Sequence, residues 1–185
     1  MDEMTDPRPL VGEPLSLDLL NTRWIQDGVR HDLLDTTGGL AVWLRSAGLH
    51  EKGDRAALDA LRETREILLT LVDDPSAEAA DALNGVLAHG SLRYRLERGV
   101  PARYPQADDP AWLPAWQAAA DYLRLLSDDP ARIKACAHPD CVLHFHDATK
   151  NGTRRWCSMA VCGNRAKAAR HYERTKRPRE APAPR

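Results

Sequence analysis

All four cysteines of the chain lie between Cys136 and Cys162, in two equal pairs: C-x4-C at Cys136 and Cys141, a gap of fifteen residues, and C-x4-C again at Cys157 and Cys162. Little else in a chain constrains folding as strongly. Disulfides are disfavoured in a reducing cytoplasm. A redox pair is ordinarily C-x-x-C beside a βαβ pattern, which is absent. A structural metal fits best. Zinc takes four thiolates tetrahedrally at about 2.3 Å, and two tight turns joined by a longer loop bring them together. A four-cysteine iron–sulfur cluster is the rival metal. Sulfur in all four positions leaves none open for water or substrate, which argues against a catalytic zinc. His138, His144 and His146 stand nearby as spare ligands, but read more simply as strand and surface histidines.

The residues around the sulfurs predict a small module of knuckle, hairpin, knuckle and helix. Pro139 and Asp140 suit a turn within the first pair. "VLHFH" alternates as a strand does, Asn151-Gly152 is a hairpin signal, and "RRW" is the expected partner strand. A helix is expected from near Ser158 or Cys162, with Cys162 in its first turn, where the helix dipole favours a thiolate. Gly163 removes a Cβ where the backbone must bend and point an amide at sulfur. With almost no apolar core of its own, such a module takes most of its folding free energy from metal, on the order of 10 kcal/mol or more.

A charge asymmetry accompanies the cysteines. Residues 1–129 carry 13 Lys/Arg and 23 Asp/Glu, whereas residues 130–179 carry 12 Lys/Arg and 3 acids. Such a split suits two modules with different partners, the basic one facing a polyanion, unless the halves simply attract each other. Lys167, Arg170, Arg174 and Arg177 share one face if the segment is helical. Arg154 and Arg155 lie beside the hairpin turn. Contacts of this kind give phosphate affinity with little sequence information. Asn164 and Arg165, at the helix start, have side chains able to read base edges, although Asn164 is equally suited to a local cap.

The remainder predicts a mainly α fold with a small β component. Residues 1–14 form a mobile lead-in, 15–129 a helical domain with one short hairpin, 130–177 the metal module, and 178–185 a disordered tail. "LSLDLLNTRW" is ambiguous between helix and strand. "GGLAVWLRSAGL" is a helix stopped at Gly48. The clearest helix starts at an Asp54 cap and aligns Leu58, Leu61, Arg65, Leu68 and Val72. Another starts at Ser76 with Ala80, Leu83 and Leu87 inward and Gly90 as its stop. "SLRYRLERGVPARYP" is a hairpin turning at Gly99. A last helix aligns Trp112, Trp116, Ala119, Leu123 and Leu126, and "PARIKAC" is a further helical turn. Trp24, Trp43, Trp112 and Trp116 read as core before they read as a pocket.

At this point the residues resemble a known family. "WCSMAVCGNRAKAARHYER", with "CAHPDC" and "TRRWCSMA" upstream, resembles the CGNR zinc finger, named for the residues at Cys162, Gly163, Asn164 and Arg165. "LSLDLLNT" and "LAVWLRSAGL" resemble the ABATE domain that precedes this finger. The resemblance implies a stress-induced transcription regulator of bacteria, a DNA-binding finger, and Cys136, Cys141, Cys157 and Cys162 as ligands of one structural zinc. His144 and His146 stand where more apolar neighbours are expected.

DNA is therefore the expected partner of the finger, and the helical domain is left with dimerisation, ligand sensing or a protein surface. A structural-zinc module that binds RNA or protein is the alternative, and a thiol redox sensor a third reading. Only Trp156 and Tyr172 are available to stack bases, which disfavours RNA. No enzyme is expected: Asp18, Asn21 and Arg23 sit by an apolar segment without a nucleophile–base pair, and suit a cap or buried polar contact. No apolar run approaches the roughly 20 residues of a membrane helix. The acidic start lacks a signal-peptide pattern, so the cytoplasm is the expected location.

Overall fold

The computed structural model describes residues 5–176, and within its last helix it leaves out the side chains of Arg170, His171 and residues 173–176. The tail at 178–185 and Arg177 thus lie outside the described residues. The order is α1 (Leu15–Leu20), β1 (Arg23–Gln26), β2 (Val29–Asp32), α2 (Thr37–Ser46), α3 (Arg55–Asp73), α4 (Ala77–Ala88), β3 (Gly90–Glu97), β4 (Val100–Ala107), α5 (Leu113–Asp128), β5 (Ile133–Ala135), β6 (His144–His146) and α6 (Asn164–Lys176). The sheets are three antiparallel pairs, β1–β2, β3–β4 and β5–β6. The fold is mainly helical with a small β component, as the pattern predicts.

The helix starts follow from the caps. Asp54 Oδ1 accepts the amide of Ala57 at 3.0 Å, Ser76 Oγ that of Ala79 at 3.2 Å, and Thr36 Oγ1 that of Gly39 at 3.1 Å. Each bond satisfies an amide that the first helical turn leaves without a partner. α3 carries the broad apolar face, burying Leu58, Leu61 and Leu68, and packs against α1, α4 and α5. Leu17, Leu19, Leu34, Leu40 and Trp43 complete that core with no exposed surface.

Two stripes differ from expectation by one helical step. In α4 the buried residues are Ala79, Leu83 and Val86, while Ala80 is exposed. In α5 Trp116 and Ala119 are buried as expected, together with Pro114, Ala115, Ala118, Tyr122 and Leu125, while Leu123 and Leu126 face outward. The alanines let α5 approach α1 and α3 closely, and that contact sets the rotation. "LSLDLLNTRW" is both elements in turn: α1, then β1.

The β1–β2 hairpin is an element the sequence reading lacks. Its turn is Asp27-Gly28, with φ of 52° and 78°. Both positive angles belong to a two-residue type I′ turn, which Asp-Gly favours. The β3–β4 hairpin forms as expected, turning at Arg98-Gly99. Its strands stand clear of the core: Tyr94 is 66 % and Leu96 74 % exposed.

Two buried arginines tie the domain together. Arg65, inside the α3 stripe, is completely buried and forks onto Asp32, with Nη1 to Oδ1 and Nη2 to Oδ2 both 2.7 Å, while Nη1 also reaches Thr22 Oγ1 at 2.7 Å. Burial alone would raise the pKa of Asp32, but hydrogen bonds from Arg65 and Arg23 hold it below the ordinary carboxylate value. Arg8 is equally hidden. It donates to Asp18 Oδ1 at 2.6 Å and to Asp6 Oδ2 at 2.7 Å. Asp18 also accepts from Trp43 Nε1 at 3.0 Å and from the Gly12 amide at 2.9 Å. The segment expected to be mobile is thereby pinned from Asp6 to Gly12.

Candidate metal centre and its basic helix

The chain enters the second module through Pro130, where Asp129 caps a single 3₁₀ turn by accepting the Ala131 amide at 3.0 Å. The helical turn expected in "PARIKAC" is thus present as a 3₁₀ turn at Pro130–Arg132, and the chain then becomes strand β5. β5 pairs with β6 in the register Ile133↔His146 and Ala135↔His144. The first knuckle is thus the loop of its own hairpin. "RRW" is not the partner of "VLHFH", as expected from Asn151-Gly152. The reason is Asp147. Its buried carboxylate accepts from Lys134 Nζ at 2.7 Å, Thr149 Oγ1 at 2.6 Å and the Arg154 amide at 2.9 Å. Those bonds roll residues 149–154 into a compact loop. Burial raises the Asp147 pKa, but these donors outweigh it and hold it well below the usual carboxylate range.

The four sulfurs converge. All the Sγ atoms lie within 4.8 Å of one another, Cys141–Cys157 at 3.7 Å and Cys157–Cys162 at 3.6 Å. A tetrahedron with zinc–sulfur bonds of about 2.3 Å has sulfur–sulfur edges of about 3.8 Å. The donor set therefore fits one zinc ion. Cys136, Cys157 and Cys162 are buried and Cys141 half-buried. The Cys157 amide donates to Cys136 Sγ at 3.4 Å, supporting negative charge on that sulfur.

The thiols also show why a cation belongs there. Cys141 is lowered to about 5, chiefly because Cys157 donates to its sulfur. Cys157 is pushed far up by giving that proton and by burial, and Cys162 is pushed up to about 12 by burial and by its charged neighbours. Four thiolates this close repel one another unless a metal sits among them. Zinc bound there organises the fold and leaves no ligand position for substrate.

A single π-helical turn, Met159–Gly163, carries Cys162 and runs directly into α6. Ser158 Oγ caps it at 3.4 Å from the Val161 amide. The Gly163 amide does not point at a thiolate: it donates to the Ser158 carbonyl at 3.0 Å. A Cβ at Gly163 would lie 2.8 Å from the Met159 sulfur, so close packing is what glycine allows there.

The module is not coreless. Leu143 and Phe145 are buried and join the hydrophobic cluster of the helical domain. Asn21 clamps the junction, with Nδ2 donating to the His144 carbonyl and Oδ1 accepting the His144 amide, each at 2.8 Å. Glu13 accepts the His146 amide at 2.9 Å and Arg154 Nη2 at 3.3 Å. Asp18, Asn21 and Arg23 are all engaged in such structural contacts, Arg23 with Asp32 and Glu66.

Of the basic residues expected on nucleic acid, Arg154 is a correction. Its guanidinium turns inward to Glu13 and to the carbonyls of His146, Trp156 and Cys157, and lies 4.2 Å from the Phe145 ring centroid. An acid from near the start of the chain and three backbone carbonyls outcompete solvent for it. Arg155 is exposed and covers the Trp156 ring at 5.3 Å. Asn164 bonds the Ala160 carbonyl at 3.2 Å, a local contact. Arg165 and Lys167 are exposed on the first turn of α6. The backbone of α6 carries Arg170 and Arg174, whose side chains lie outside the described residues.

This geometry defines a four-cysteine zinc-finger protein with a helical N-terminal domain. Residues 132–175 match the CGNR zinc finger, and residues 13–129 match ABATE, described as "Putative stress-induced transcription regulator". The chain belongs to the ABATE family and carries the CGNR finger behind that domain. No curated protein matches the sequence. Among the described residues, no helix is long and apolar enough to cross a membrane.

Proposed function

We propose that this protein is a DNA-binding transcription regulator whose finger docks on the phosphate backbone through Arg155, Arg165, Lys167 and the basic residues further along α6. One observation carries the reading. The metal ligand Cys162 stands two residues before α6, so the ion fixes the start of a basic helix whose first charged side chains, Arg165 and Lys167, are exposed. The family description and the excess of 12 Lys/Arg over 3 acids in residues 130–179 support it. Base reading by Asn164 has less support, since its amide is engaged locally. The role is binding rather than catalysis, because sulfur fills every metal position. A cytoplasmic setting suits both the thiolates and a DNA partner.

Fluorescence anisotropy of a labelled duplex with zinc-loaded protein tests this across a range of salt. Affinity is expected to fall steeply with salt, and the charge reversals Arg165→Glu and Lys167→Glu together to flatten the log–log slope by about 2, near 0.9 per phosphate contact. Tighter binding to single-stranded RNA than to duplex DNA, or a slope unchanged by the reversals, sinks the reading.

A further inference from the structure

A cavity of about 600 Å³ opens where the helical domain, the β1–β2 hairpin and the finger meet. Its size falls within the range of roughly 300–1,000 Å³ typical of small-molecule sites. Leu20 of α1, Leu69 of α3, Trp24 of β1 and Val142 of the finger give it apolar walls. Its charged lining is mixed in sign, Arg23 and Arg30 against Asp32, Asp35 and Asp73, and so selects no strongly charged guest.

Two side chains in this wall are buried without a polar partner. Trp24 and His144 are each only 5 % exposed, yet Trp24 Nε1 and both ring nitrogens of His144 make no hydrogen bond. A buried polar group left unpaired destabilises a fold unless something comes to satisfy it. The contrast within His144 sharpens the point: its amide and carbonyl are both engaged by Asn21, while its ring has nothing. Burial lowers the His144 pKa and keeps the ring neutral, with one donor and one acceptor. With the indole N–H, two donors and one acceptor lie unpartnered just behind the cavity surface, beside both apolar and charged lining residues.

We propose that this cavity is a binding site for a flat, uncharged aromatic molecule carrying a hydrogen-bond donor and an acceptor, its polar edge partnering Trp24 and His144 after small rotations of those rings. The apolar part of the lining favours an aromatic plane over a sugar or a free phosphate, and the unpaired donors and acceptor disfavour a plain hydrocarbon. Because Val142 directly follows the ligand Cys141 and His144 lies two residues further on, the guest touches the finger and the helical domain together. The site stands independently of the DNA reading.

7-Amino-4-methylcoumarin supplies an aromatic plane, an amine donor and a carbonyl acceptor without charge. Titrated with zinc-loaded full-length protein, its anisotropy is expected to rise to saturation at one molecule per chain. His144→Phe, which keeps the volume and loses the nitrogens, weakens binding about tenfold, the scale of one lost hydrogen bond. Leu69→Trp fills the cavity and abolishes binding. Val142→Trp fills it from the finger side and serves where Leu69→Trp loses metal or helical circular dichroism. Absence of saturable binding by the wild type overturns the proposal, as does undiminished binding by any of these variants that retains its zinc and helix content.

Discussion

The helical domain and the finger are held by opposite means. Residues 15–129 bury a continuous apolar cluster, with α3 at its centre, and add the hidden Arg65 paired to Asp32, while Arg8 of the lead-in is hidden against Asp18. The finger buries Leu143, Phe145 and three of its four cysteines, and gathers the rest of its chain around four sulfurs and the Asp147 carboxylate. Apolar burial accumulates over many residues at about 25 cal/mol per Å². A tetrathiolate site concentrates on the order of 10 kcal/mol or more in four. The first kind of stability degrades gradually under mutation, and the second fails at once.

The largest expected effect breaks the finger alone. Cys157→Ser removes the sulfur that neighbours both Cys141 and Cys162, and zinc content is expected to fall from one per chain to none. Most of the helical circular dichroism persists, because α1–α5 keep their core. Elemental analysis with circular dichroism reads both. If the helical signal collapses with the metal, the two regions are one cooperative unit and the contrast fails.

The next test strikes the helical side. Arg65→Ala leaves Asp32 without its bidentate partner, and removing one member of a buried ion pair costs about 3–5 kcal/mol. The lower end is expected here, because Arg23 still reaches Asp32 at 2.9 Å. Urea unfolding followed by circular dichroism measures it, and zinc stoichiometry is expected to stay at one. A loss below about 1 kcal/mol counts against Arg65 as the domain's central tie.

What was legible in advance follows the same division. Ligand chemistry admits few residue types at short spacing, so the metal site is written in four cysteines. Caps such as Asp54 and Ser76 are local and therefore legible too. Pairings over long separations are not. Arg65 sits in an apolar stripe because its partner Asp32 lies 33 residues earlier. Arg154 resembles a free cation until Glu13, 141 residues away, is placed beside it. The β1–β2 hairpin did carry a local signal, Asp27-Gly28, of the same kind as Asn151-Gly152. At Asn151-Gly152 the hairpin signal lost to a carboxylate that captured the returning strand.

The smallest effect is expected at the seam, and it decides how far the contrast holds. Asn21 and His144 are 123 residues apart in sequence, yet they share two buried bonds of 2.8 Å each. Asn21→Ala strands a buried amide and a buried carbonyl, with an expected cost of about 1–3 kcal/mol. The metal ligands are untouched, so zinc stays bound at one per chain, while native-state hydrogen exchange at the His144 amide accelerates by more than at amides of α3. That difference is the sharp part. Equal acceleration in both places means the seam supports the helical core as much as the finger. Unchanged exchange at His144 means that Leu143 and Phe145 alone join the two, and that the paired hydrogen bonds only set their register.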